Sequence, residues 1–238
     1  MLTSMSASAQ ESDFALALKE AMKSEIRTEA ETDRDRNRRP VQTLKFFGIT
    51  PEMKVLELIP GGGWYTKLLA PALRDKGELH VAIGTSRVKS NLLTMPGMDK
   101  INVLEPKVEI DEGEEYLRTI NEFTLSEKGF DAALTFRNMH NFDAAGRKNI
   151  NDAVFKALKK GGIYGVVDHT RRHMEPITSE NRRRADPVTI IKELLDSGFV
   201  FEGYSSLHRK PDDELRYEVG RKSVTGNSDR FTLLFKKP

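Results

Sequence analysis

The sequence predicts an α/β fold: a mostly parallel sheet with helices on both faces and an antiparallel hairpin at its C-terminal edge. Three observations carry this. From Lys54 onward, apolar strand-like blocks alternate with helical blocks, the rhythm of a parallel sheet. Lys54-Val55-Leu56-Glu57-Leu58-Ile59 is almost continuously apolar and bounded by turn residues, as expected of a strand covered on both faces. The last two strand-like blocks have no helical crossover between them, so they should pair antiparallel.

The elements follow in order. Phe14 to Ala30 reads as a helix, with Phe14, Ala17, Leu18, Ala21, Met22 and Ile26 near helical spacing. The mixed-charge run Asp33 to Arg39 is either a solvated stretch or an arm that offers guanidinium groups to a ligand carboxylate. Val41 to Phe47 is a short helix closed by Gly48. Strand 54–59, the turn Pro60-Gly61-Gly62-Gly63 and a helix from Trp64 to Leu73 come next. Leu79 to Ile83 is a second strand and Ile101 to Leu104 a short third. Asp111 to Tyr116 is an acidic loop or helix start, and Phe130 to Phe136 a fourth strand. Asp143 caps a helix that runs to Lys160, where Gly161-Gly162 stops it. Ile163 to Asp168 is the fifth strand. Asp186-Pro187 opens another helix, which ends at Gly198. Phe199 to Leu207 and Arg230 to Lys236 are the closing strands.

The 238 residues fit one large domain with extensions. The expected division is 1–12 as a disordered tail or signal remnant, 13–48 as a helical arm, and 49–238 as the α/β domain. With no Cys, disulfides, thiolate metal sites and thiol nucleophiles are all excluded. No apolar run approaches the roughly 20 residues that span a bilayer. A net charge of +2 argues against a dedicated nucleic-acid binder. Ala7-Ser8-Ala9 before Gln10 looks like a small-residue cleavage site, although Met1 to Ser6 has neither a basic nor an apolar segment. The location is periplasmic or secreted if that site is a processing remnant, and cytoplasmic otherwise.

The sharpest local signal is Val55 to Thr66, a strand running into a glycine turn and then a helix start. Glycines there allow close approach of backbone N–H groups to a ligand, and the helix start favours an anion. Two cofactor classes use this geometry. A dinucleotide fingerprint wants a third glycine where Thr66 stands and an acid after the second strand, where Gly84-Thr85 stands. The spacing acid–x–x–x–Gly–x–Gly, with Glu57 as the acid, suits a methyltransferase better.

From Arg34 to Pro238 the chain resembles a family of bacterial class I, S-adenosylmethionine-dependent methyltransferases with a Rossmann-like sheet. The resemblance rests on Arg39-Pro40-Val41-Gln42-Thr43-Leu44-Lys45-Phe46-Phe47 and on Pro60-Gly61-Gly62-Gly63-Trp64-Tyr65-Thr66 with Leu69-Ala70-Pro71. It continues in Leu134 to Asn141, Gly165-Val166-Val167-Asp168-His169 and Asp229 to Pro238. It implies S-adenosyl-L-methionine as cofactor and methyl transfer as the reaction. It also raises the expectation of a secretion signal. The chain departs from the general methyltransferase pattern at Gly84-Thr85, where an acid usually holds the ribose, and at Pro60.

In open α/β sheets ligands sit beyond the carboxyl ends of the strands. The expected cofactor residues are therefore Glu57, Pro60, Gly61, Gly62, Gly63, Trp64, Tyr65, Gly84, Thr85, Arg137 and Asn138. Trp64 and Tyr65 are placed against the methionine end or its sulfonium. His140, Asp168 and His169 are the catalytic candidates, with a histidine as general base. Arg36, Arg39, Asn141 and Arg171 are the candidate substrate contacts, and a small, anionic substrate suits them. Methyl transfer needs no metal, and none is expected. The rival readings are an NAD(P)-dependent oxidoreductase and a non-catalytic ligand-binding protein on the same fold.

Overall fold

The computed structural model describes residues 3–113 and 116–238, with side chains from Asp13 onward. The strands in chain order are β1 (Lys54–Leu58), β2 (Glu78–Ala82), β3 (Asn102–Leu104), β4 (Ile110–Glu112), β5 (Arg118–Ile120), β6 (Phe130–Phe136), β7 (Leu158–His169), β8 (Val200–Tyr204) and β9 (Arg230–Lys236). The helices are α1 (Thr3–Met22), α2 (Glu29–Thr32), α3 (Asp35–Arg38), α4 (Pro40–Phe46), α5 (Thr66–Leu73), α6 (Ser86–Asn91), α7 (Ala144–Ala157) and α8 (Pro187–Asp196). Seven strands form one sheet in the order β3-β2-β1-β6-β7-β9-β8, and β4 pairs with β5 apart from it. β1, β2, β3, β6 and β7 run parallel, while β9 is antiparallel to both β7 and β8. The expected parallel sheet with an antiparallel C-terminal edge is the observed one.

The period-2 alternation of the strands sorts residues onto two cores. Leu56, Leu58 and Ala133 face the core that holds Ile150, Val154 and Leu194 of α7 and α8. Val55, Ala132 and Leu134 face the core that holds Phe14, Leu18, Leu44, Leu68 and Leu69 of α1, α4 and α5, with Phe47 just past the end of α4. Burying each such Leu or Phe contributes about 1.5–3 kcal/mol. Gly165 on β7 makes room for the second core: a Cβ there would stand 2.9 Å from the Phe47 ring and from Leu134 Cδ2. Both long C-terminal helices start as their caps predict. Asp143 accepts from Gly146 N at 2.7 Å, and Asp186 accepts from Val188 N at 2.9 Å.

Several boundaries differ from expectation. α1 spans Thr3–Met22, not 14–30. Its end at Met22 is fixed from outside, because Arg27 Nη1 donates to the Met22 carbonyl at 2.9 Å while the same guanidinium grips Asp35. The Ala7-Ser8-Ala9 expectation falls where side chains lie outside the described residues. α7 stops at Ala157, not Lys160: the Ala157 carbonyl accepts from Gly129 N, and Leu158 already pairs with Phe130 on β6. Gly161-Gly162 therefore lies within β7. The acidic segment at 111 enters β4 and bonds to β5, while Glu114 and Glu115 lie outside the described residues.

Candidate functional site

The carboxyl ends of β1, β2 and β6 lie side by side, and each ends in a left-handed residue: Ile59 (φ 51°), Ile83 (φ 65°) and Arg137 (φ 65°). For a β-branched residue this conformation is a genuine outlier, worth on the order of 1–3 kcal/mol of strain. Three left-handed residues, two of them β-branched, at the carboxyl end of adjacent strands mark where the backbone is bent for a purpose. Asn138 ties the bend together, donating from Nδ2 to the carbonyls of Leu58 and Ile59 at 3.3 Å each.

Over this edge lies a cavity of about 350 Å³, within the range of small-molecule sites. Its floor and far wall are Glu57 to Gly62, Phe136, Arg137 and Asn138; Trp64 and Tyr65 form one side. Gly62 has no heavy atom within 4 Å of where a Cβ would be, so its missing side chain opens directly onto free space. Gly61 (φ 60°) brings the backbone to the Arg87 guanidinium, 3.6 Å from the built Cβ. Gly63 serves packing instead: a Cβ there would stand 2.1 Å from Leu92 Cδ1. Thr66, at the position of a third fingerprint glycine, is fully buried and donates to Glu57 Oε2 at 2.6 Å.

The segment from Ile26 to Arg39 closes the cavity as an arm, held mostly through its own carbonyl groups. Trp64 Nε1 donates to the Glu31 carbonyl at 2.9 Å, and Lys67 Nζ donates to the Ile26 carbonyl and the Glu31 carboxylate. The Arg38 carbonyl accepts from Tyr65 OH, from the Thr43 hydroxyl and from His208 Nε2. Because Nε2 of His208 must carry the proton, Nδ1 accepts from Thr232 at 2.7 Å. Burial, with Arg230 close by, pushes His208 down to about 4, which keeps this neutral tautomer in place.

The arm places charge inside the site. Glu31, Arg34 and Arg38 join Glu57, Arg87 and Arg137 on the cavity wall. Burial pushes Glu57 up to about 7, against the opposing pull of the Thr66 hydrogen bond and of Arg38. Burial, reinforced by Arg137, pushes Arg38 down to about 8. A carboxyl raised above its unfolded value stabilises the fold only below that value, and the contribution is lost as pH rises through the folded pKa. We therefore expect the stability of Glu57→Gln relative to the wild type to rise by about 3 kcal/mol between pH 4.5 and pH 8. Urea melts across that range check this; a constant difference would mean that Glu57 stays ionised throughout.

The structure distributes the expected residues over three places. Glu57, Pro60, Gly61, Gly62, Trp64, Tyr65, Arg137 and Asn138 line the 350 Å³ cavity together. Gly63, Gly84 and Thr85 do not. Gly84 sits at the rim, its built Cβ 3.9 Å from Ile59 Cγ2, while Thr85 is buried as the cap residue of α6. The aromatic pair is already engaged. Arg38 lies over the Trp64 ring at 4.3 Å and Arg27 at 5.1 Å, and Tyr65 stacks on Phe136 at 3.6 Å. The cations on the indole are thus the protein's own.

A second cavity of about 470 Å³ adjoins the first through the shared residues Arg34, Arg38 and Arg137. Arg36, His169, Ser228 and Arg230 line it. His169 contacts the buried Ser228 hydroxyl at 2.9 Å through Nδ1. Burial and the neighbouring Arg230 hold His169 well below its ordinary value, so the ring is neutral near pH 7. His140 and Arg171 are elsewhere, on a recess of about 10 Å³ beside Arg147 and Asp186. The 3₁₀ turn Met139–Asn141 carries His140 toward β7 and away from β1; its Nδ1 donates to Asp168 at 2.5 Å. Asp168 is wholly buried and accepts from His140 N and His169 N as well, so it orients the two histidines and offers nothing to a substrate. Arg39 caps α4 in a left-handed conformation with its side chain exposed, and neither it nor Asn141 lines either of these two cavities. Glu31, Arg38, Arg87 and Arg230 were not among the expected residues. The Arg-rich run at 33–39 was the trace of Arg38, and nothing in the sequence singled out Glu31.

No protein-family model matches the sequence, and no curated protein sequence matches it. Solved structures do match by shape. The S-adenosylmethionine-dependent methyltransferase from Aquifex aeolicus superposes with a TM-score of 0.60 at 14% identity, over 87% of this chain and 93% of that one. The glycopeptide N-methyltransferase MtfA, solved with S-adenosylhomocysteine, gives 0.57 at 16% identity, over 85% and 90%. The (4+2)-cyclase SpnF gives 0.54 at 12% identity, over 85% and 80%. The chain has the Rossmann-like fold of class I methyltransferases. At these identities the likeness speaks for the fold alone, and function is argued from the site.

Proposed function

We propose that this protein is an S-adenosylmethionine-dependent methyltransferase acting on a small molecule, with the 350 Å³ cavity as the donor site. The observation that carries the reading is the mixed wall of that cavity. It combines a buried carboxyl (Glu57), guanidinium groups (Arg38, Arg87) and the open glycine at 62. An amino-acid ligand brings an ammonium and a carboxylate, and this wall has a partner for each. Bound there, S-adenosylmethionine would supply an electrophilic methyl group on sulfur. Glu57 would hold the ammonium end, Arg38 or Arg87 the carboxylate, and Gly61-Gly62 would let the backbone approach. The arm would exclude water, which positions reactants and strengthens every charge contact. His169 would meet the acceptor from the adjoining wall as a neutral hydrogen-bond partner, its lowered basicity leaving the released proton to solvent.

Calorimetric titration with S-adenosylhomocysteine tests this, with NADPH as the control because Arg87 is the residue type a dinucleotide 2′-phosphate would use. Binding of S-adenosylhomocysteine is expected, with no response to NADPH. Gly62→Val, which fills open space at a position free of backbone strain, should weaken that binding at least tenfold while the melting temperature stays within a few degrees. A response to the dinucleotide alone would defeat the reading.

A further inference from the structure

The second cavity carries far more positive charge than the protein neutralises. Arg34, Arg36, Arg38, Arg137, Arg183 and Arg230 border it, against one lining carboxylate, Asp33. Behind this wall, Glu218 pairs with Arg183, and Asp168 and Asp229 lie near Arg230. Arg38 and Arg230 are 94% and 93% buried. Arg230 Nη1 donates to the Asn37 carbonyl at 3.0 Å, but neither Arg230 Nε nor Arg38 Nη2 has an acceptor among the described residues. Burying a guanidinium with an unmet donor is expensive, and proteins keep such groups where a planar anion will complete them. The repulsion is mutual: Arg137 pushes on both Arg38 and Arg230, and burial with that repulsion lowers Arg230 to about 10. The wall that holds this charge also borders the donor cavity through Arg38 and Arg137, and His169 and Ser228 face the same space.

We infer that the 470 Å³ cavity is the acceptor site and that it takes its substrate by an anionic head group, a carboxylate or phosphate, gripped by Arg36 and Arg230, with Arg38 on the wall shared with the donor cavity. The inference rests on the donor reading above only in calling the occupant an acceptor; the anion site stands on its own geometry. The head group would sit against the arginines while the nucleophilic end lies by His169, toward the shared wall.

The test uses the whole protein saturated with S-adenosylhomocysteine and titrated with inorganic phosphate and with malonate, which separate the two head-group types. One of the two should bind alongside S-adenosylhomocysteine. Arg230→Gln should weaken that binding at least tenfold while S-adenosylhomocysteine affinity shifts less than twofold. Arg36→Gln, whose side chain is exposed and outside the core, should weaken it about three- to tenfold, which keeps the test sound if Arg230→Gln unfolds. The inference is overturned if neither anion binds, if both variants bind it as the wild type does, or if the anion displaces S-adenosylhomocysteine. Displacement would assign the arginines to the donor's own carboxylate. Anion binding that depends on Arg230 in a protein deaf to S-adenosylhomocysteine would uphold the anion site and defeat the donor reading.

Discussion

Replacing Arg184 with alanine is expected to destabilise the protein by about 3–5 kcal/mol, because it strands a buried carboxylate. Arg184 and Asp213 have side-chain exposures of 0% and 3% and meet through two parallel contacts of 2.9 and 3.0 Å. The same guanidinium donates to the carbonyls of Tyr217 and Thr170. Asp213 in turn accepts from Leu215 N and from Asp229 N. One ion pair therefore organises the long connection between β8 and β9, and that connection supplies Gly220, Thr225, Gly226 and Ser228 to the second cavity. Urea unfolding should show the loss, and hydrogen exchange should accelerate across 210–229 before the sheet opens. The double variant Arg184→Met with Asp213→Leu should recover much of the stability, since apolar pairs often replace buried ion pairs without loss. A change below 1 kcal/mol for Arg184→Ala would show that the pair is solvated and not the organiser of this segment.

The second large effect is expected at Asp168. Its carboxylate receives three N–H groups, two from the backbone of His140 and His169 and one from the His140 ring. It is also the counter-charge that favours the ionised forms of Arg137 and Arg230. Asp168→Ala leaves all three donors unmet in a site with no solvent access. Hydrogen bonds to charged groups contribute about 1.5–3 kcal/mol each before relaxation, so a net loss of about 3–5 kcal/mol is reasonable. For a chain of this size that lowers the melting temperature by roughly 6–20 °C. Asp168→Asn should recover less than half, because an amide nitrogen must then face one of the N–H donors. Thermal melts of the two variants check the order. Equal stability of Asn and wild type would mean the carboxylate charge is not used.

The strands of the central sheet were legible from sequence because each is a short apolar run bounded by turn residues. The glycine corner was legible because strand, turn and helix are contiguous from Val55 to Thr66. Six of its expected cofactor residues share one cavity with Arg137 and Asn138. What could not be read is long-range. Arg230 meets Asn37 across 193 positions, and His208 meets Arg38 across 170. No local period encodes such contacts, so Arg38 and Arg230 were not singled out. That His140 and His169, with rings 5.9 Å apart, open onto different cavities was hidden for a different reason. Both follow strand ends, but the 3₁₀ turn at 139–141 and the grip of Asp168 send the His140 ring away from β1. At Leu158 the helix signal of α7 continued in sequence, yet pairing with Phe130 took the chain into the sheet first.

The central claim is that the corner at Gly61-Gly62 receives the amino-acid end of a sulfonium donor. A crystal structure of the protein with S-adenosylhomocysteine tests it most directly. The account predicts ligand density between Gly62, Trp64 and Asn138, with its ammonium toward Glu57 and its carboxylate toward Arg38 or Arg87. Density lodged elsewhere, or a corner filled by the protein's own side chains at saturating ligand, would contradict it.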